Sequence, residues 1–240
     1  MNPVIIIPAR LASTRLPSKP LADIHGQPMI VHVLRRAEAA GCGPVYVAAG
    51  DKEIVQAVEA AGGKAVMTDP DLPSGTDRVR AAADMIDPHG HYDVIVNVQG
   101  DMPVLPSGLL DTVCKAMSGD SDIVTAAVEI RDMAEARNPN VVKIAMNSAG
   151  RALYFSRASI PHGAGPLFHH LGLYAYQREV LHQFCDLPPS QLEQRERLEQ
   201  LRALEAGMRI DVVITDHMPL SVDTPEDLQR VREALRHEHE

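Results

Sequence analysis

Apolar residues come in blocks along this chain. Short runs rich in Val, Ile and Ala at 4–7, 45–49, 64–67, 93–98 and 123–128 carry little polar interruption, the pattern of strands buried on both faces. Between them, at 29–40, 52–61, 75–86 and 107–117, apolar positions recur at helical spacing, as in MIVHVLRRAEAAG. This alternation predicts βαβ units, a mostly parallel sheet and helices on both of its faces. After residue 140 the rhythm changes. VVKIAMN (141–147) and ALYFSR (152–157) flank SAG and predict an antiparallel hairpin. A strand at 170–176, helical runs near 177–185 and 191–206, a strand at 209–215 and a last helix at 225–238 complete the pattern, with Pro188 and Pro189 punctuating the helical runs. No repeat or low-complexity linker interrupts the chain. One domain over 1–240 is expected, with the antiparallel part an insertion on the same core.

The stretch VIIIPARLASTRLPSKPLADIHGQPMI organises the rest. Val4 to Ile7 read as a buried strand that closes at Pro8, which has no N–H to donate. Arg10, Arg15 and Lys19 follow, held by Pro17 and Pro20. A single loop cation is ordinarily a solvated surface charge. Three at the carboxyl end of a first strand, where open α/β sheets bind ligands, predict a clamp for a nucleotide triphosphate. Neither GxxxxGK[ST] nor GxGxxG follows the strand, so side-chain cations must supply what a glycine loop supplies with backbone N–H groups.

Composition narrows the function classes. With 240 residues, 45% apolar, the chain can bury one large core. A formal charge of −9 argues against nucleic-acid or acidic-membrane binding as a global property, and 3% aromatic residues with no Trp argue against base-stacking recognition of nucleic acid. Cys42, Cys114 and Cys185 lie far apart, without CxxC or Cys/His spacing. They read as reduced thiols of a cytoplasmic protein, with no disulfide framework or structural zinc. The apolar run after Met1 is too short for a signal peptide, and no stretch is long enough for membrane insertion.

Three motifs carry candidate chemistry. In VIVNVQGDMP, Asp101 emerges from a buried strand through Gln99 and Gly100. It is placed either to hold Mg²⁺ or to cap the turn or helix that begins at Pro103–Gly108. Asp223 in SVDTPEDL is either a second carboxylate or part of a helix start, with Thr224 as N-cap and Pro225 at the first helical position. In SGTDR (74–78), Ser74, Gly75 and Thr76 suit a nucleobase or sugar, and equally a helix N-cap.

IPARLASTRLPSKPL with HGQPMIVHVLRRA, then SGTDR, VNVQGD, NPNVVK, ALYFSRASIP, HLGLYAY, LEQLR and VDTPEDL, run in this order over nearly the whole chain. Together they resemble the 3-deoxy-manno-octulosonate (Kdo) cytidylyltransferases, the CMP-Kdo synthetases of lipopolysaccharide assembly. The resemblance implies an α/β, nucleotide-diphospho-sugar-transferase-like (Rossmann-like) domain with a mixed, mostly parallel central sheet. It implies that the antiparallel insertion at 141–176 serves homodimerisation. It further implies transfer of CMP from CTP to the 2-hydroxyl of Kdo, whose attack on the α-phosphorus expels pyrophosphate. CTP would meet Ala9, Arg10, Arg15, Lys19, Ser74, Gly75, Thr76, Arg78, Gln99 and Asp101. The sugar acid would meet Gln99, Lys143, Arg157, His170, Tyr174, Glu199 and Gln200. Asp101 and Asp223 match the Mg²⁺ pair. With Arg10, Arg15 and Lys19 they form the catalytic set, in which metal activation replaces a dedicated general base, and a second Mg²⁺ on the β and γ phosphates is plausible.

Four departures from the family pattern stand out: Met102 for a usual Glu, Gly50 for a usual Asp (Asp51 follows), His169 for a usual Arg, and a short loop at 162–168. The last two leave an 8-amino derivative of Kdo as an alternative acceptor. Sialic-acid or sugar-1-phosphate enzymes would need a glycine-richer first loop. A non-catalytic nucleotide-binding protein would predict loss of Lys19, Asp101 or Asp223, and all three are present.

Overall fold

The computed structural model describes residues 1–12, 16–106, 108–117 and 120–236; Arg15 lies outside them. The chain divides into two compact units, Met1–Asp111 with Pro219–Glu240, and Thr112–Met218. In chain order, β1 (Pro3–Ala9) leads through a 3₁₀ turn (Lys19–Leu21) and a small hairpin, β2 (Asp23–Ile24) and β3 (Gln27–Pro28), to α1 (Met29–Ala39). Then follow β4 (Val45–Ala49), α2 (Lys52–Ala60), β5 (Ala65–Met67), α3 (Gly75–Ile86), β6 (Val94–Asn97) and α4 (Leu109–Ala116). The second unit carries β7 (Ile123–Glu129), α5 (Met133–Arg137), β8 (Lys143–Met146), β9 (Ala152–Ser156), β10 (Phe168–Gln177), α6 (Arg178–Asp186), α7 (Gln191–Glu196), α8 (Gln200–Glu205) and β11 (Ile210–Thr215). The chain then returns to the first unit with α9 (Pro225–Ala234).

In the first unit β6, β1, β4 and β5 lie side by side and all parallel. Val4 to Ile7 are buried on both faces, each such side chain contributing about 1.5–3 kcal/mol of burial. In the second unit β11 runs parallel to β7, β7 pairs antiparallel with β10, and β8 pairs antiparallel with both β10 and β9. The expected α/β class, with a mostly parallel sheet and an antiparallel pair, is observed.

Three expectations change. β1 does not close at Pro8 but pairs with β4 as far as Ala9↔Ala49. Alternate residues of a strand address opposite neighbours. Ile5 and Ala9 bond towards β4, and Ile6 accepts from Val98 on the other side. Pro8 shares the side of Ile6, where β6 has already ended at Asn97, so its missing N–H breaks no rung. The helical run expected at 191–206 is two helices, because Arg197 adopts a left-handed conformation (φ 57°, ψ 49°). The last helix ends at Ala234. The β2–β3 hairpin and α5 are additional elements too short for a periodic signal.

Candidate functional site

The first unit contains a cleft of about 390 Å³ lined by Pro8, Ala9, Arg10, Ala12, Lys19, Pro20, Ser74, Gly75, Arg78, Gln99, Gly100, Asp101 and Asp223. Each wall follows from local sequence. Ser18 takes a left-handed conformation (φ 54°) and Pro20 occupies the first turn of the 3₁₀ segment, so the chain folds sharply and carries Lys19 inward. Asp51, the N-cap residue of α2, does not cap it. Its carboxylate instead accepts the Leu11 N–H at 2.7 Å and pins the start of the cationic loop.

Lys19 is the centre of the site. Its Nζ donates to Asp101 Oδ2 at 2.7 Å, to Val222 O at 2.9 Å and to Asp223 Oδ1 at 3.1 Å. Burial opposes its charge, yet Asp101 and then Asp223 outweigh burial and raise its pKa above the usual lysine value. The Asp101 carboxylate thus accepts from Lys19, and among the described residues no backbone N–H caps onto it. For Asp223 the helix-start reading holds, and its carboxylate also pairs with Lys19. Thr224 caps α9 in a capping box with Asp227, and Pro225 opens the helix; that motif fixes the carboxylate just ahead of it. The Val222 N–H donates to the Asp101 carbonyl at 2.9 Å, so backbone as well as side chains join the two acids.

Gly100 is required at its position. A Cβ there would stand 2.7 Å from the Pro8 carbonyl oxygen, closer than real contacts allow. Gly50, one of the departures, has a similar reason: a Cβ would meet Arg78 Nη1 at 2.9 Å. Arg78 is buried against that backbone and donates to Thr68 Oγ1, to Asp69 O at 3.0 Å and to Pro70 O at 3.2 Å. Its pKa is lowered, chiefly by burial and then by Arg10, with Asp51 and Asp69 opposing. Ser74 caps α3 by accepting the Asp77 N–H at 3.1 Å and also faces the cleft. Thr76 is buried on α3 and is not part of the lining. Gln99 Nε2 points to Asn97 Oδ1 at 3.4 Å, and the buried Asn97 Nδ2 has no partner among the described residues. Pro8, Ala12, Pro20 and Gly100 are lining residues that sequence reasoning passed over, since small apolar side chains carry no chemical signature.

Of the residues matched to the sugar acid, Gln99 lies in the first unit and the other six in the second. Lys143 is fully buried, and its Nζ donates to Asn138 O at 2.9 Å, Val141 O at 2.6 Å and Arg157 O at 2.6 Å. Its pKa is lowered, by burial first and then by Arg157. His170 and Tyr174 are buried, the His170 ring 5.0 Å from that of Phe155 and 5.4 Å from that of Tyr174. Burial and His169 push His170 down to about 3; burial and Glu199 push Tyr174 up. The register of β10 against β7 shifts between Leu171 and Tyr174. Thr125 Oγ1 donates into that bulge to Leu173 O at 2.8 Å and lies 2.9 Å from His170 Nε2, so His170 is a neutral donor there. His169, another departure, places Nδ1 2.6 Å from Glu135 Oε1. Glu199 is the half-buried residue that opens α8, and Gln200 beside it is buried.

A family model described as cytidylyltransferase matches residues 4–210. A protein of Rhodospirillum rubrum named 3-deoxy-manno-octulosonate cytidylyltransferase is 58% identical over 240 residues, covering 97% of this chain and 95% of its own. The chain belongs to the 3-deoxy-manno-octulosonate cytidylyltransferase family. A cytidylyltransferase of the same name from Parvibaculum lavamentivorans is 59% identical, covering 98% of this chain and 93% of its own. A solved structure of CMP:2-keto-3-deoxy-manno-octonic acid synthetase complexed with CTP is 41% identical, with a TM-score of 0.92 over 99% of this chain and 100% of that one. The cytidylyltransferase signature of the chain thus includes the cleft residues from Pro8 to Asp101, while Asp223 follows the matched segment.

Proposed function

We propose that this chain transfers CMP from CTP to the 2-hydroxyl of Kdo, releasing pyrophosphate and supplying CMP-Kdo for lipopolysaccharide assembly. The observation that carries the reading is the Lys19 ammonium, held at once by Asp101 and Asp223 in a cleft edged by Arg10 and Arg78. Nucleotidyl transfer asks mainly for positioning and for neutralisation of charge on phosphate oxygens. Arg10 and Lys19 supply that charge from the first loop. Ser74, Gly75, Arg78 and Gln99 hold the nucleoside. Ala9 and Gly100 keep the strand ends open to it.

The donor set suits a magnesium ion. Asp101 and Asp223 are both within reach of one cationic atom, and among the described residues no cluster of three or more His, Cys, Asp or Glu forms an all-protein cage. Two carboxylates completed by substrate oxygens and water are what Mg²⁺ takes. Asp101 and Asp223 would hold the ion, which would neutralise phosphate charge and lower the pKa of the attacking hydroxyl. Arg157, with His170, Tyr174, Glu199 and Gln200, forms the sugar-acid side, and Lys143 supports it by holding the Arg157 carbonyl. We further propose one catalytic domain over 1–240, a homodimer through 141–176, where Leu153 of β9 is 59% exposed, and a cytoplasmic location in keeping with three free thiols.

Pyrophosphate release with CTP, Mg²⁺ and Kdo, run beside ATP, UTP and GTP and beside N-acetylneuraminate, tests the assignment. Turnover confined to CTP and Kdo is expected. Turnover with another sugar acid and not Kdo would refute the acceptor, and no release with any pair would refute catalysis.

A further inference from the structure

One acid of the second unit has no role in the scheme so far. Glu196 is the last residue of α7, and the left-handed Arg197 ends that helix, leaving main-chain carbonyls that a continuing helix would have bonded. Arg157 takes two of them. Its Nε donates to Glu196 O at 2.9 Å and its Nη2 to Arg197 O at 3.4 Å, while Nη1 donates to Pro139 O at 3.1 Å.

The Glu196 side chain acts on the same residue from the other direction. Its Oε2 accepts the Arg157 backbone N–H at 3.0 Å, and its Oε1 accepts the Ser156 hydroxyl at 2.8 Å. Neither oxygen is bonded to the guanidinium. A guanidinium has five N–H groups. Three are spent on carbonyls, so one remains on each terminal nitrogen, the fork that matches a carboxylate. No carboxylate among the described residues pairs with it. The platform beneath is itself fixed. Ser190 and Glu193 form a capping box at the start of α7, and Arg202 of α8 holds Glu193 through two bonds of 2.8 and 2.6 Å.

We propose that Glu196 is the positioning residue for Arg157: it anchors the backbone of Arg157 with its carboxylate and the Nε with its carbonyl, holding in place a guanidinium to which no carboxylate is bonded, for the carboxylate of the sugar acid. This rests on the reading of Arg157 as a sugar-acid contact. Glu196→Gln turns one acceptor into a donor that faces the Arg157 N–H or the Ser156 hydroxyl. The KM for Kdo at saturating CTP is then expected to rise about tenfold, the worth of one misplaced hydrogen bond, with the KM for CTP and the melting temperature essentially unchanged. Glu196→Asp, which keeps both oxygens, is expected to recover part of the loss and carries the same test if the Gln variant does not fold. The double variant with Arg157→Gln should be no worse for Kdo than Arg157→Gln alone. An unchanged KM for Kdo in both Glu196 variants, or equal rises for Kdo and CTP, would overturn the proposal. An unchanged KM for Kdo in Arg157→Gln would instead overturn the sugar-acid reading beneath it.

Discussion

Lys19 of the first unit and Lys143 of the second both carry an ammonium group out of bulk water, and each donates all three of its protons. Lys19 meets two carboxylates and one carbonyl; Lys143 meets three carbonyls. Burial opposes the charge of both. It is outweighed at Lys19, whose pKa is raised, and prevails at Lys143, whose pKa is lowered. The partners explain the difference: carboxylates stabilise the charged form by Coulomb attraction, whereas neutral carbonyls offer hydrogen bonds and no countercharge. They also suggest different uses. Lys19 sits in a cleft with acids that another cation can claim, which fits the part proposed for it in the chemistry. Lys143 ties residues 138–141 to Arg157 and belongs to the frame.

The contrast predicts a hierarchy of effects. Asp101→Ala should cut CMP transfer by about a thousandfold, several kcal/mol of transition-state stabilisation, and Lys19→Met by about a hundredfold or more. In both, urea unfolding should shift by less than about 1 kcal/mol, since the cleft is partly solvated. Lys143→Met should do the reverse in emphasis, costing roughly 3–5 kcal/mol of stability by leaving carbonyls buried without donors. A Lys143→Met protein as stable as its parent would erase the distinction.

A smaller effect concerns pH. His170 has a folded pKa of about 3 against a usual 6.5, so between those values the unfolded chain binds a proton that the folded chain does not. Stability should therefore fall as pH falls from about 6.5 towards 3, by up to about 1.4 kcal/mol per pH unit. His170→Gln should remove that part of the slope, read from urea unfolding at pH 7, 6 and 5; identical slopes would refute it. Smallest is Ser74→Ala, expected to cost about 1 kcal/mol through loss of the α3 cap, with a modest rise in the KM for CTP. A loss of stability with no change for CTP would make Ser74 a cap alone.

The long apolar runs were legible because burial on both faces leaves little choice of residue: β4 spans 45–49 as expected, and β6 and β7 differ from expectation by a residue or two. The presence of Arg10 and Lys19 in the cleft was legible because charge beside a buried strand is conspicuous. Asp223 was half legible: the helix start in its motif is observed, with Thr224 as cap and Pro225 opening α9, and its carboxylate accepts from Lys19. The break at Arg197 was not, since RERLEQLR keeps helical spacing through it, and the partner of the carbonyls left at the helix end, Arg157, lies far off in the sequence. Nor was the pairing of Lys143 with carbonyls, because main-chain acceptors look alike in every sequence.

The bond from Val222 to Asp101, and the reach of Lys19 to Asp223 across 204 positions, bear on how the protein is born. As the chain leaves the ribosome, the first strands and the cationic loop emerge early, and Lys19 can find Asp101 over a separation of only 82. The second acid arrives after all of the second unit has been synthesised. A nascent chain, or one stopped short of Asp223 by a premature stop codon, would thus keep the Lys19–Asp101 pair and lack the second acid; on the proposed reading of the site, it would hold CTP without spending it.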